Sequence, residues 1–158
     1  TRPRIGLAWS GSAAHTNDRH RSIPLETLLP LLGIHAEFHS LQKEYREADR
    51  RILMTEENLI DHSDRIGDFG DTAALMEEMD LVISVDTAAA HLAGALGKPV
   101  WVLLPCIPDF RWLQHREDSP WYPTARLFRQ TTPGDWNPVL ERIQNLLGLS
   151  GSNLQEIL

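Results

Sequence analysis

The segment Val82-Ile-Ser-Val-Asp-Thr-Ala-Ala-Ala-His-Leu-Ala-Gly-Ala-Leu-Gly-Lys-Pro-Val100 decides how the chain folds. An apolar run stops at Asp86, an alanine-rich stretch continues to Gly97, and a second apolar run follows Pro99. Short continuous apolar runs are typical of strands buried on both faces, and a helix between two such strands is the unit of a parallel sheet. We therefore predict a strand over 81–85, a helix over 87–96 and a strand over 99–104.

The same alternation continues on both sides of this segment. Short apolar or alternating runs predict strands, and runs with helical spacing predict helices. The strands are expected at 4–9, 37–41, 59–60 and 126–129, and the helices at 25–32, 43–54, 68–79 and 136–149. Strands that alternate with helices indicate a parallel sheet covered on both sides. The predicted fold class is α/β: a Rossmann-like three-layer domain with a mostly parallel sheet and helices on both faces.

Two of the predicted helices carry further local signals. Asp68 stands where an N-cap belongs, and Phe69 shares a helical face with Met76. The helix over 43–54 is rich in charge and is expected to be exposed. We expect one domain over residues 1–150, followed by a polar C-terminal tail over residues 151–158.

The bulk composition excludes several classes of partner. The 158 residues carry a net charge of −7 without a block of lysines or arginines. This argues against nucleic acid or an anionic membrane as the main partner, but leaves room for a local basic pocket that binds one small anion. Cys106 is the only cysteine, so a reducing compartment is favoured. Because the chain starts at Thr1 and enters a strand by Arg4, we expect it to be part of a longer protein.

Polar segments follow three of the predicted strands, and ligands of open parallel sheets bind at the carboxyl ends of strands. They are Ser10-Gly11-Ser12, Asp86-Thr87 and the stretch from Pro105 to Trp112. The unpaired N–H groups of the helix that starts at Thr87 favour a phosphate-like anion. His91 shares the face of Thr87 one turn further on. The alternatives are that Asp86 or Thr87 only caps the helix, and that His91 is a hydrogen-bonded core histidine.

The first loop and the tryptophans offer further candidates. Gly11 lets the backbone approach a ligand closely, and the guanidinium groups of Arg19 and Arg21 can each pair with two oxygens of a diphosphate. A solvated loop is the alternative. Trp112, which follows a strand within P-D-F-R-W, is a candidate for lining a base or sugar pocket, and core packing is the alternative.

Motifs of other chemistries are absent from the sequence. It contains no G-x-x-x-x-G-K-[ST], no G-x-G-x-x-G and no G-x-S-x-G. No histidine pair forms H-x-H or H-E-x-x-H, and no D-x-D occurs. We therefore expect no metal and no cofactor.

Several motifs occur together and in order: W-S-G-S-x-x-H-x-N-D-x-x-R-S-I-P, S-L-Q, D-F-x-D-T-A-A-L, V-D-T-A-A-A-H-L-A-G-A-L-G-K-P-V-W, P-D-F-R-W and S-P-W-Y-P. Up to about Leu149, the chain resembles the C-terminal half of bacterial heptosyltransferase-like glycosyltransferases (family 9), and most closely the variety fused to tetratricopeptide repeats. The resemblance implies a GT-B architecture, in which two Rossmann-like domains face each other and this one binds the donor. It also implies a metal-independent, inverting reaction.

The resemblance assigns a donor site by motif position. Arg21 stands where the family carries a phosphate-contacting lysine, and Ala88 stands where many heptosyltransferases have glycine. The donor diphosphate is expected to contact Ser10, Gly11, Ser12, Arg21, Thr87 and Ala88. The sugar or nucleoside is expected to contact Asp86, His91, Asp109 and Trp112. The base that activates the acceptor is expected in a missing N-terminal domain, so no catalytic residue is assigned here.

The predicted function is the donor-binding half of a glycosyltransferase that transfers a sugar from a nucleoside diphosphate sugar and is inactive without its N-terminal domain. The alternatives are a non-catalytic nucleotide-sugar-binding or scaffold module of a repeat protein, and a nucleotide-sugar epimerase. Expected partners are the nucleoside diphosphate sugar, the N-terminal acceptor domain and tetratricopeptide repeats, with no nucleic acid and no integral membrane segment. The expected location is the cytoplasm, with the inner face of the membrane as a variant.

Overall fold

Six parallel strands form the centre of the protein, whose computed structural model describes residues 2–150 and 153–158. The strands are β1 (Arg4–Ala8), β2 (Glu37–Ser40), β3 (Leu59–Ile60), β4 (Leu81–Val85), β5 (Val100–Leu104) and β6 (Ala125–Arg129). The helices are α1 (Asp18–Arg21), α2 (Leu25–Leu28), α3 (Glu47–Leu53), α4 (Phe69–Glu77), α5 (Ala88–Ala95) and α6 (Asn137–Ser150). The predicted α/β, Rossmann-like fold class is confirmed.

The sheet has the strand order β3-β2-β1-β4-β5-β6, and each neighbouring pair is parallel. The chain runs outward from β1 in one direction to β3, then returns to pair β4 with β1 and continues outward in the other direction. This reversal opens a crevice at the carboxyl ends of β1 and β4, where ligands of such sheets bind. Because Ala8 lies opposite Ser84, the loop after β1 meets the residues that follow β4.

Two apolar clusters lie on opposite faces of the sheet. Successive residues of a strand point to opposite faces, and accordingly Ile83 belongs to one cluster and Val82 to the other. Side chains of α2 and α6 pack in the first cluster, and side chains of α4 and α5 pack in the second. All residues of β4 and β5 are buried, which explains why these strands read as continuous apolar runs.

The predicted helix after β4 is confirmed, with Thr87 at its N-cap position. It ends before Gly97, whose φ of 70° lies in the left-handed region that favours glycine. The chain then enters β5 directly. The tight βαβ unit fixes where the first turn of α5 sits relative to the end of the sheet.

Two predictions about helices were wrong. The helix expected over 43–54 begins only at Glu47, and it is not fully exposed, because Asp49 is 3% exposed and accepts hydrogen bonds from Trp9 Nε1 and the backbone N–H of Leu25. Phe69 does not join the buried face of α4 but is 65% exposed. The first difference arises from contacts of Asp49 with residues distant in sequence, which helical spacing does not contain.

The C-terminal part of the chain packs on the first apolar cluster. Ile143 and Leu147 of α6 are buried there, and Leu154, which lies in a 3-10 helix over Leu154–Glu156, is buried in the same cluster. Residues 151 and 152 of the predicted tail lie outside the described residues. No helix within the described ranges combines the length and apolar character needed to cross a membrane.

The predicted N-cap of α4 is confirmed, and it forms a reciprocal capping box. The carboxylate of Asp68 accepts from the N–H of Asp71, and the carboxylate of Asp71 accepts from the N–H of Asp68. Asp68→Ala should therefore lower the free energy of unfolding by about 1 kcal/mol, the usual value of such a cap. Urea unfolding at neutral pH measures this, with Glu77→Ala on the same helix as the charge-matched control. Equal stability of the two variants would contradict the capping role.

Candidate functional site

A cleft of about 870 Å³ opens at the carboxyl edge of the sheet. Its walls come from the loop after β1, the start of α5, the segment after β5 and the connection between β6 and α6. The cleft therefore lies where the reversal of strand order places it.

The structure brings most of the predicted site residues to this cleft. Those that line it are Arg21, Asp86, Thr87, Ala88, His91 and Asp109. Ser10, Gly11, Ser12 and Trp112 are not among the lining residues. Ser10, Gly11 and Ser12 use their polar groups in local hydrogen bonds.

The loop after β1 uses its polar groups to hold itself in place. The side-chain oxygen of Gln42 accepts from the N–H groups of Trp9 and Ser10, and the N–H of Gly11 donates to Ser22 Oγ. The hydroxyl of Ser12 accepts from the N–H of Ala14. These groups shape the loop from behind rather than facing the cleft.

Gly11 makes room for an arginine. A Cβ atom at this position would lie 2.2 Å from Nη2 of Arg21, because the guanidinium group rests directly against the glycine backbone. Glycine leaves this space free, whereas a larger residue would require the end of the Arg21 side chain to shift. The close approach predicted for a ligand at Gly11 is thus occupied by Arg21.

Arg21 connects the two sides of the cleft. Its Nη1 donates to the backbone carbonyl oxygen of Asp86 over 2.9 Å, and its Nε lies 3.5 Å from Oδ1 of Asp18. The Nε–H group is buried and has no hydrogen-bond partner among the described residues. The side chain is therefore fixed in position, and its Nε–H is ion-paired with Asp18 without making a full hydrogen bond.

Asp18 supports Arg21 from α1 and is itself held by Ser22 and Arg46. Burial alone would raise the pKa of the Asp18 carboxyl, but the hydrogen bond from Ser22 and the charges of Arg46 and Arg21 hold this pKa below its ordinary value of 3.8. The carboxylate is thus charged at neutral pH and keeps the two arginines close together.

The start of α5 leaves backbone donors free. Thr87 has an extended backbone at the N-cap position, but its side chain makes no capping hydrogen bond, and its hydroxyl lies 3.4 Å from that of Ser84. The carboxylate of Asp86 does not cap the helix either, since it is directed at His91. Within the described part of the chain, the N–H groups of Ala88 and Ala89 have no partner. The helix start can therefore accept an anion.

His91 is held by three neighbours. Its Nδ1 is 2.9 Å from the hydroxyl of Tyr122, and its Nε2 is 3.6 Å from Oδ1 of Asp86. Its ring stacks on Trp112 with 5.1 Å between ring centroids. His91 is half-buried and lines the cleft, so both interpretations of it, a hydrogen-bonded histidine and a cleft residue, describe part of its position.

Tyr122 was not assigned a role from the sequence, although it lies in the S-P-W-Y-P motif. Its ring packs on Gly94 of α5, where a Cβ atom would lie 2.4 Å from the ring. The glycine therefore lets the tyrosine approach α5 closely enough to hydrogen-bond His91. Nothing in the local sequence around position 122 reports this contact.

Asp86 contributes to both sides of the cleft, since its carbonyl binds Arg21 and its carboxylate faces His91. Burial alone would raise the pKa of this carboxyl, but hydrogen bonding from His91, the nearby Trp112 N–H and the charge of Arg21 together hold the pKa below 3.8. Nε1 of Trp112 lowers the pKa of Asp86 without making a full hydrogen bond to a described residue. Asp86 is therefore a carboxylate at neutral pH.

Three buried side-chain donors around the cleft have no hydrogen-bond partner among the described residues. They are Nε of Arg21, Nε1 of Trp112 and Nε2 of Gln130. Arg21 and Gln130 line the cleft, and Trp112 stacks on His91, which also lines it. All three are N–H groups, so the cleft is suited to a ligand rich in hydrogen-bond acceptors.

Apolar side chains surround the mouth of the cleft. Phe69 and Ile107 line it and are 65% and 83% exposed, and Phe110 nearby is 80% exposed. Asp109 pairs with Arg111 over 3.2 Å at the same rim. Among the described residues, no three histidine, cysteine or acidic side chains are grouped so that they could hold a metal ion.

The lowered pKa of Asp86 has a consequence for stability. A carboxyl whose pKa is lower in the folded than in the unfolded chain stabilises the fold above its unfolded pKa, and this contribution is lost as the pH falls through the folded value. We expect the free energy of unfolding to fall less steeply between pH 5 and pH 3 in Asp86→Asn than in the natural chain. Urea unfolding at each pH measures this, with exposed Glu57→Gln as control. Parallel profiles of Asp86→Asn and the natural chain would refute the stabilising role.

The chain is similar to known proteins in sequence and in fold. Residues 68–103 match the model of glycosyltransferase family 9 (heptosyltransferase). Over 152 residues the chain is 30% identical to Protein FlbA of Caulobacter vibrioides, an alignment that covers 92% of this chain and 25% of FlbA. The fold matches that of the E. coli ADP-heptose lps heptosyltransferase II with a TM-score of 0.57 and 16% identity.

The matched proteins are longer than this chain. The chain spans about a quarter of the length of FlbA and, with 99% of its own residues aligned, 48% of the solved heptosyltransferase. The match over residues 68–103 is to a family of glycosyltransferases. The resemblance predicted from the sequence, to a heptosyltransferase-like glycosyltransferase of family 9, is thereby confirmed.

Proposed function

We propose that this chain is the donor-binding half of a metal-independent, inverting glycosyltransferase. The observation that carries the proposal is that Arg21 and the unpaired first-turn amides of α5 meet at one cleft. They lie at the carboxyl edge of the sheet, where the strand order reverses. Such a site favours an anionic ligand rich in acceptors, and a nucleoside diphosphate sugar is one.

The diphosphate would bind between Arg21 and the start of α5. The guanidinium group is held in a fixed position by the carbonyl of Asp86, and Thr87 and Ala88 line the same cleft. The positive end of the helix dipole adds to this field. A chain with a net charge of −7 can thus hold an anion, because the donors at the site, and not the total charge of the chain, determine whether an anion binds.

Asp86 and His91 would contact the sugar. A carboxylate repels phosphate but accepts hydrogen bonds from hydroxyl groups, so Asp86 suits the sugar better than the diphosphate. His91 lies beside it, fixed by Tyr122 and Trp112. Asp109 at the rim is a further hydroxyl acceptor on this side.

In the proposed reaction, an acceptor oxygen forms a bond with C1 of the sugar while the bond from C1 to the diphosphate oxygen breaks. Positive charge builds on the sugar and negative charge on the leaving diphosphate. Arg21 and the start of α5 would stabilise the negative charge in place of a metal ion. The proton of the acceptor would pass to a base in the N-terminal domain, so the nucleoside diphosphate leaves as an anion.

The rest of the longer protein would complete the site. We propose that an N-terminal acceptor domain covers the cleft mouth, where Phe69, Ile107 and Phe110 are exposed, and that residues 1–150 form the donor domain beside it. Exposed apolar groups at a cleft rim are typical of a surface that meets another domain. Tetratricopeptide repeats and a cytoplasmic location are parts of the same proposal.

Replacement of the diphosphate ligands should weaken nucleoside diphosphate binding. We expect Arg21→Ala and Thr87→Val each to raise the dissociation constant, with Arg21→Ala about tenfold or more, because hydrogen bonds to charged groups contribute about 1.5–3 kcal/mol. Titration calorimetry with ADP, UDP, GDP and CDP measures this. ADP comes first because the matched heptosyltransferase is described as using ADP-heptose.

The matched control for this experiment is Arg19→Ala, which removes an exposed arginine that does not line the cleft. It should bind nucleotides like the natural chain. If Arg21→Ala binds as tightly as Arg19→Ala, the assignment of the diphosphate site is wrong. If the natural chain binds none of the four nucleotides, the scaffold alternative is favoured.

The chain alone should not transfer a sugar, because the activating base is proposed to lie in the missing domain. Release of nucleoside diphosphate from labelled donor sugars, with and without the full-length protein, tests this. Turnover by the 158-residue chain comparable to that of the full-length protein would overturn the half-site proposal.

A further inference from the structure

Gln130 occupies a fixed position at the end of β6. Its backbone N–H donates to the carbonyl of Leu104 over 2.9 Å, and its carbonyl accepts from the thiol of Cys106 over 3.4 Å. These two contacts tie it to the end of β5 and to the segment that follows. The residue is 6% exposed and lines the cleft, yet it belongs to no motif of the sequence analysis.

The side chain of Gln130 has no partner for its polar groups. Nε2 is buried without an acceptor, and the carboxamide makes no hydrogen bond to any described residue. An unsatisfied buried donor costs about 1–3 kcal/mol, and leucine or methionine of similar size would avoid this cost. Buried amide groups in proteins nearly always have a partner, so one left unpaired beside a cleft points to a ligand.

The surroundings of Gln130 differ from those of Arg21. Pro105, Ile107, Pro133 and Gly134 line the same cleft, lie close in sequence to Gln130 or to the β5 end that it contacts, and carry no charge, whereas Asp109 and Arg111 carry the charges of the rim. At the other end, Arg21 and the start of α5 provide positive charge. An apolar slot with one carboxamide suits a flat heterocycle, since ligand pockets bind such groups with apolar walls and a few placed polar atoms.

We infer that Gln130 reads the base of the nucleoside diphosphate. Nε2 would donate to an acceptor on the edge of the base, and a turn about the last side-chain bond can present the carboxamide oxygen as well. A glutamine carboxamide pairs with a base edge through one donor and one acceptor, as it does with adenine. This inference rests on the proposed function, and it adds a specificity-determining residue to it.

The test compares Gln130→Leu with the natural chain in binding inorganic pyrophosphate, the four nucleoside diphosphates and one nucleotide sugar. We expect the variant to bind its best nucleoside diphosphate about three- to tenfold more weakly, which corresponds to the loss of one hydrogen bond. The preference among the four bases should narrow. Pyrophosphate should bind as before, because Arg21 and the start of α5 are unchanged.

Stability provides a second readout. Removal of an unsatisfied buried donor should leave the melting temperature of the free chain equal or higher, whereas removal of a structural glutamine would lower it. Gln114→Leu, at an exposed position away from the cleft, is the matched control. If Gln130→Leu does not unfold cooperatively, Gln130→Met tests the same prediction with an unbranched side chain.

Three results would overturn the inference. The variant could bind every nucleoside diphosphate as the natural chain does, it could lose pyrophosphate and nucleotide affinity equally, or it could weaken only the nucleotide sugar, which would place Gln130 at the sugar. In each case the proposed function is still supported if nucleotide binding depends on Arg21. Absence of all nucleotide binding by the natural chain would instead remove the proposed function together with this inference.

Discussion

The hydrogen bond from Arg21 Nη1 to the backbone carbonyl of Asp86 holds the candidate site together. Parallel strands alone bring the loop after β1 near the residues after β4, but they do not fix the distance between them. Arg21 fixes it, and its place against Gly11 and its ion pair with Asp18 leave it little freedom. The same side chain therefore organises the cleft and supplies a donor that makes no full hydrogen bond.

Asp86 is the second element of this arrangement, because its main chain and its side chain serve different parts of the cleft. The carbonyl binds Arg21, and the carboxylate faces His91, which Tyr122 and Trp112 hold from behind. A displacement of the Asp86 backbone would thus move the proposed diphosphate and sugar contacts together. Gly94 belongs to the same constraint, since it admits the ring of Tyr122.

The sequence was sufficient for the sheet, for α5 and for the edge at which the cleft lies, because apolar continuity and capping are local signals. It was insufficient where a side chain contacts a residue that is distant in sequence. The freedom of Gly11 was assigned to a ligand although Arg21 uses it, and Phe69 was placed on the same helical face as Met76 although it is exposed at the cleft mouth. Gln130 was missed because only its lack of a hydrogen-bond partner distinguishes it. This lack can be seen only in the folded chain, where β5 and β6 are paired.

The unpaired donors connect the energetics of the free chain to its proposed ligand. Nε2 of Gln130 is buried without an acceptor, and Nε of Arg21 and Nε1 of Trp112 are buried without a full hydrogen bond, which costs free energy in the unliganded state. A ligand that supplies acceptors to Arg21 and Gln130 removes part of that cost, and such a ligand stabilises the fold by mass action as well. If either residue is replaced by an apolar one, the ligand finds no donor to satisfy at that position, and this gain in free energy is lost. The empty cleft is therefore less stable than a cleft lined by apolar side chains would be. A ligand that satisfies these donors recovers part of this free-energy difference when it binds.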